Sequence, residues 1–200
     1  MRTMKELLEA AEGAKVSLGE ISLRWQAEKN RESLAAVRAK MGERLQIMRL
    51  SVQDGCSPEL RSASGRVGGQ ASKMVQADQM SRFGVVSKAY AYAMAVAESN
   101  ACMGKIVAAP TAGSCGILPG ALLAVQEEEH FSEDELVSAL FAAAGIGRVI
   151  ALEATISGAE GGCQAECGAA AAMAAAALTQ LYGGSPRQAC VACSFALMNM

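Results

Sequence analysis

The stretch Ser157-Gly-Ala-Glu160-Gly-Gly-Cys163-Gln-Ala-Glu166-Cys167-Gly168 holds the densest set of reactive groups in the sequence. Two carboxylates, an amide and two thiols lie among glycines, and the Ala-rich run Ala169 to Ala177 follows at once. Such a run is helical, because alanine is the best helix former. Gly161-Gly162 permits a sharp bend, which places Cys163 at or near the first turn of that helix. There the unpaired N–H groups and the positive end of the dipole favour a thiolate over a thiol. A thiolate so held is a metal ligand or a nucleophile. The same pattern also suits a small buried cysteine between closely packed helices, and on the pattern alone both readings stand.

A second loop, Val107-Ala-Ala-Pro110-Thr111-Ala112-Gly113-Ser114-Cys115-Gly116, sets Thr and Ser around a glycine just before helix-forming residues that start near Leu118. Hydroxyls and N–H groups at a helix start suit a carboxylate or phosphate guest; from the sequence alone an ordinary cap with a tight turn is the simpler explanation. Ser62 to Gln70 is rich in Gly and Ser and reads as a flexible loop or the lip of a site. It lacks the Lys-Ser or Lys-Thr of a phosphate-cradling loop. His130, the only histidine, follows Glu127-Glu128-Glu129 and reads as surface decoration.

The elements that must carry these groups are helices. Of 200 residues 52% are hydrophobic and only 4% aromatic, with alanine prominent, which favours packed helices over a sheet. The expectation is an all-α fold: one domain over residues 1–200, with eight to ten helices, some of them Ala-rich and buried, carrying two Gly-containing functional loops. The formal net charge of −2 gives no reason to expect nucleic acid or a membrane surface. No apolar run reaches the roughly 20 residues of a bilayer span without interruption, and no signal peptide is visible. Seven cysteines then point to reduced thiols and a cytoplasmic location.

Residues 3–29 read as one or two short amphipathic helices punctuated by Gly13 and Gly19. From Arg31 to Val52 a longer helix has Leu34, Val37, Met41, Leu45 and Met48 at core spacing, with Arg38, Lys40, Glu43, Arg44 and Arg49 on a solvated face. Ser57-Pro58-Glu59 has the form of a helix start. Ser87 to Cys102 is a small-residue helix expected to be buried on several faces. Lys105 to Ala109 is the only strand candidate. Ala121 to Glu129 is helical. Ser132-Glu-Asp-Glu135 and Ser185-Pro-Arg-Gln188 are capping boxes that open the helices to about Ala154 and to the C-terminus.

Pairing Cys163-x-x-x-Cys167 with Cys190-x-x-Cys193 would give a four-thiolate metal module. Against it, Cys190 and Cys193 fall in a regular helix, whereas metal knuckles usually sit in turns.

Residues 109–120 and 158–166 together resemble the α chain of iron–sulfur L-serine dehydratase. Met94-Ala-Val-Ala-Glu98-Ser-Asn100-Ala and Gly183-Gly184-Ser185-Pro186 are similar to further family segments, and the likeness runs from about residue 55 to the end. The resemblance implies a lyase that dehydrates and deaminates L-serine, using a [4Fe–4S] cluster held by three cysteines with one iron open as a Lewis acid. It implies Cys163 as a cluster ligand and Thr111, Ala112, Gly113 and Ser114 as the substrate pocket. Glu160, Gln164 and Glu166 become polar groups around the ligand, and Cys167 a packing residue. It leaves the catalytic base unknown, and implies a β chain as partner and an oligomer. The family's other ligands lie in Cys-Asp-Pro and Val-Pro-Cys segments, and the sequence stops at Met200 before them. The expectation is therefore a truncated chain with incomplete ligation. A helical subunit that only packs on a partner is the non-catalytic alternative.

Overall fold

Alanine and leucine fill the long segments of this chain, and both lose little on entering a helix. The computed structural model describes residues 1–77 and 84–200. Among the described residues there are nine helices and no strand. They are α1 (Met4–Ala14), α2 (Leu18–Asn30), α3 (Leu34–Gly55), α4 (Gln70–Gln76), α5 (Val85–Ala101), α6 (Ile117–Glu129), α7 (Glu133–Glu153), α8 (Gly158–Leu181) and α9 (Pro186–Met198). The all-helical expectation holds, and Lys105 to Ala109 is irregular chain.

The helices form two compact units, Met1–Glu43 with Ser132–Met200, and Arg44–Phe131. In the first, α7 packs on α2 and α8, and α8 packs on α9. Its core joins Leu7, Leu18 and Leu23 to Leu136, Leu140, Phe141 and Ile146, with the alanines of α8 between helices. Gly19, expected to punctuate the chain, lies inside α2 instead, because the helix ends there are set elsewhere. Lys15 caps α1 in the left-handed region at φ 54°, and Ser17 caps α2. A Cβ at Gly19 would overlap the Ser138 carbonyl. Gln180 locks this contact: its Oε1 accepts from the Gly19 N–H at 2.8 Å and its Nε2 donates to Ser138 Oγ at 3.0 Å. Among the described residues α7 alone is long and apolar enough to cross a membrane by length and composition; here its apolar residues are the core.

Both capping boxes are present. Ser132 exchanges hydrogen bonds with Glu135, and Ser185 with Gln188, with Pro186 in the first turn of α9. Because Ser132 N–H and hydroxyl both donate to Glu135, its carboxyl sits below the usual carboxylate range.

The second unit stacks α5 on α6 and α4 on α5. Close approach needs small residues: a Cβ at Gly116 or Gly120 would overlap α5 at Ala93 and Ala89, and one at Gly55 would overlap Ala95. Two expectations are corrected. Ser57-Pro58-Glu59 makes only a turn, since the Gly- and Ser-rich residues after it cannot propagate a helix. Leu34 is exposed at 46%, while Val37, Leu45 and Met48 are buried; it stands in the first turn of α3. As expected, α5 meets neighbours on more than one side, at Ala89 and Ala93 toward α6 and at Ala95 toward Gly55. Ala91, Ala95, Val96, Glu98 and Ser99 are buried, and Val86 and Tyr90 are exposed.

Candidate active site

The Pro-Thr loop belongs to the second unit. Two neighbours fix it. Behind it, Gly116 and Gly120 let α6 ride directly on α5. Beside it, Asn100 in the last turn of α5 donates from Nδ2 to the Ala112 carbonyl at 3.2 Å. Within the loop Thr111 Oγ1 and Ser114 Oγ stand 3.2 Å apart, close enough to share a hydrogen. Ser114 is buried, Thr111 half-buried, and Ala112 and Gly113 are exposed. The four predicted pocket residues thus form one turn, with paired hydroxyls at its base and exposed backbone between them. It sits directly before α6, where the helix dipole favours an anion. Cys115 points inward, and burial raises its thiol above the ordinary value.

One group beside this loop was not assigned a role from sequence. Glu98, two residues before Asn100, is 3% exposed. Its carboxylate accepts the N–H groups of Gln70 at 3.0 and 3.2 Å and of Ala71 at 3.3 Å. It is therefore the N-terminal cap of α4, whose own cap position is Gly69 at φ 79° with no side chain to offer. One end of α5 so holds two loops, 111–114 through Asn100 and 68–71 through Glu98. The signal available in the sequence was an acid standing alone in the alanine helix between Val85 and Ala101.

The cysteine segment belongs to the first unit. Ser157 N–H donates to Thr155 Oγ1 at 3.1 Å, and Thr155 Oγ1 donates to Glu160 Oε2 at 2.6 Å. This hydroxyl ties down the short turn before the bend. Gly162 then takes φ 76°, ψ 177°, a conformation essentially reserved for glycine. The helix restarts at Cys163, as the glycine pair predicts. Cys163 and Gln164 are exposed, and Glu166 is half-buried with its carboxylate against Gly158. Cys163 Sγ lies 3.8 Å from Cys167 Sγ. The Cys167 thiol is raised by partial burial first, then by Cys163 and Glu166 beside it.

The four-thiolate reading fails on the other pair. Cys190 and Cys193 are buried, and Cys193 Sγ donates to the Ala172 carbonyl at 3.2 Å. Burial first, then Cys190, pushes the Cys193 thiol up to about 12. Burial, then Glu12, raises Cys190. Cys193 packs against α8, and Cys190 is buried on the same helix α9. Among the described residues no three His, Cys, Asp or Glu side chains gather closely enough to hold a metal ion. Cys163 fits a single cluster ligand, exposed and at a helix start; a complete ligand set is not gathered among these residues. His130 is exposed at the end of α6, in the left-handed region at φ 59°.

A probable L-serine dehydratase α chain of Bacillus subtilis (strain 168) is 36% identical over 202 residues, covering 100% of this chain and 67% of that protein. The L-serine dehydratase α chain of Peptoniphilus asaccharolyticus is 51% identical over 115 residues, 58% of this chain and 39% of that one. L-serine dehydratase TdcG of Escherichia coli (strain K12) is 43% identical over 128 residues, 62% of this chain and 28% of that protein. The chain thus spans two thirds of the first relative and well under half of the other two. The family described as "Serine dehydratase alpha chain" matches residues 12–200, and the chain belongs to that family.

Proposed function

We propose that this chain is the helical α subunit of an L-serine dehydratase, acting with a β chain in an oligomer to convert L-serine to pyruvate and ammonia. What supports the reading is the paired Thr111 and Ser114 hydroxyls in the turn before α6, in a chain of this family. Thr111, Ala112, Gly113 and Ser114 take the serine carboxylate: Ser114 donates to Thr111 Oγ1, the half-buried Thr111 hydroxyl donates to the carboxylate, and the N-terminal end of α6 favours the charge. Asn100 keeps the turn in register through Ala112.

Serine loses its Cα proton and its hydroxyl, as water, to give an enamine. The enamine tautomerises to an imine, which takes up water to release ammonia and pyruvate. Cys163 supplies one ligand of a [4Fe–4S] cluster; a complete ligand set is not gathered among the described residues. When bound, the cluster supplies an iron Lewis acid that makes the hydroxyl a better leaving group. Glu160, held by Thr155, and Gln164 and Glu166 flank that ligand and order the turn that presents it. Seven free cysteines support a reducing compartment, the cytoplasm.

The test is anaerobic iron–sulfur reconstitution of this chain, continued to include further cysteines and combined with a β chain. A brown protein that releases pyruvate only with serine is expected. Cys163→Ser loses the colour and the activity together. A colourless, inert complex would overturn the reading.

A further inference from the structure

We propose that Cys163 and Cys167 form a two-sulfur chelate for a single thiophilic cation of the zinc and cadmium class. The two residues are four apart on α8 and so share a face of the helix. Their sulfurs stand 3.8 Å apart. Two thiolates about 2.3 Å from one tetrahedral ion are about 3.8 Å apart, so the bite is already set. Cys163 is exposed and Cys167 half-buried, so the ion enters from solvent at the Cys163 end. Gly162, immediately before, carries no Cβ to obstruct it. On binding, each thiol releases its proton to solvent and forms one metal–sulfur bond. Water fills the remaining two positions.

This site differs from a cluster corner. In a cubane each iron takes one thiolate, whereas here both sulfurs converge on one point. An ion held by the pair therefore withdraws Cys163 from cluster assembly. That consequence rests on the proposed role of Cys163; the binding itself does not.

The experiment uses the 200-residue chain, reduced and anaerobic, titrated with cadmium while the sulfur-to-cadmium ultraviolet band is followed. One ion per chain is expected. Cys163→Ser and Cys167→Ser should each lower the affinity about tenfold or more, as loss of a direct ligand must. Cys102→Ser should leave it unchanged. Far-UV circular dichroism reports that each variant is folded. As a second readout on the unaltered protein, one equivalent of zinc should protect Cys163 and Cys167 together from alkylation, read by peptide mass. Absence of the band at one equivalent, or a folded Cys167→Ser variant that binds as tightly as the parent, would overturn the proposal. The titration needs neither serine nor a cluster, so its outcome is independent of the proposed activity.

Discussion

The carboxylate of Glu98 and the backbone of Gln70 are 28 positions apart in the chain and 3.0 Å apart in space. A helix start normally borrows its cap from the residue beside it. Here the cap is a buried acid on another helix, and it also takes the Ala71 N–H. Glu98→Ala should cost about 2–3 kcal/mol, the worth of hydrogen bonds to a charged group plus the stranded donors. Glu98→Gln should cost less, because one amide oxygen still accepts. Urea denaturation of the two variants checks the order, and equal midpoints for Glu98→Ala and the parent would refute it.

Asn100 donates to the Ala112 carbonyl of the Pro-Thr loop, so it acts as a positioning residue. In the complete enzyme, Asn100→Ala should raise the KM for serine about tenfold, roughly the 1.4 kcal/mol that one hydrogen bond is worth. kcat should fall less, and Asn100→Asp, which keeps an acceptor but no amide donor, should not rescue the variant. A variant with an unchanged KM would show that the loop holds its shape without this bond.

Gly162 occupies φ 76°, ψ 177°, and an L side chain there is strained whatever room surrounds it. Gly162→Ala should cost about 1–3 kcal/mol in thermal unfolding. Identical melting of variant and parent would contradict the assigned backbone.

Cys193 predicts a pH effect. Its thiol ionises at about 12 in the folded chain and near 8.5 when unfolded. Between these values the unfolded chain has released the proton and the folded chain has not. Stability from this group is therefore intact below about pH 8 and is lost as pH rises toward 12, at no more than about 1.4 kcal/mol per unit. Under reducing conditions Cys193→Ala should flatten the fall in unfolding free energy between pH 8 and 10. Parallel curves would rule out Cys193 as the source.

Local signals were legible in the sequence, and distant ones were not. Ser132 with Glu135 and Ser185 with Gln188 lie three residues apart, and both boxes formed. Gly161-Gly162 marked the bend, and Cys163 restarted the helix as expected. Ser57-Pro58-Glu59 carried the same kind of signal but no helix-forming run behind it, so it stayed a turn. Glu98 was opaque for the opposite reason, since its partners are set by packing rather than by spacing. The four residues of the Pro-Thr loop were recognisable as a group. That Ser114 would be buried and Gly113 exposed depends on how closely α6 sits on α5, which Gly116 and Gly120 decide.

Between Ala169 and Ala177 nearly every side chain of α8 is a methyl group. A methyl has no rotamers, so no side-chain entropy is lost when it is enclosed, and Met173 alone in the stretch can change shape to fill space. Enclosing such a stretch therefore costs almost no side-chain entropy, and close approach of α7 and α9 to α8 is gained without freezing long side chains.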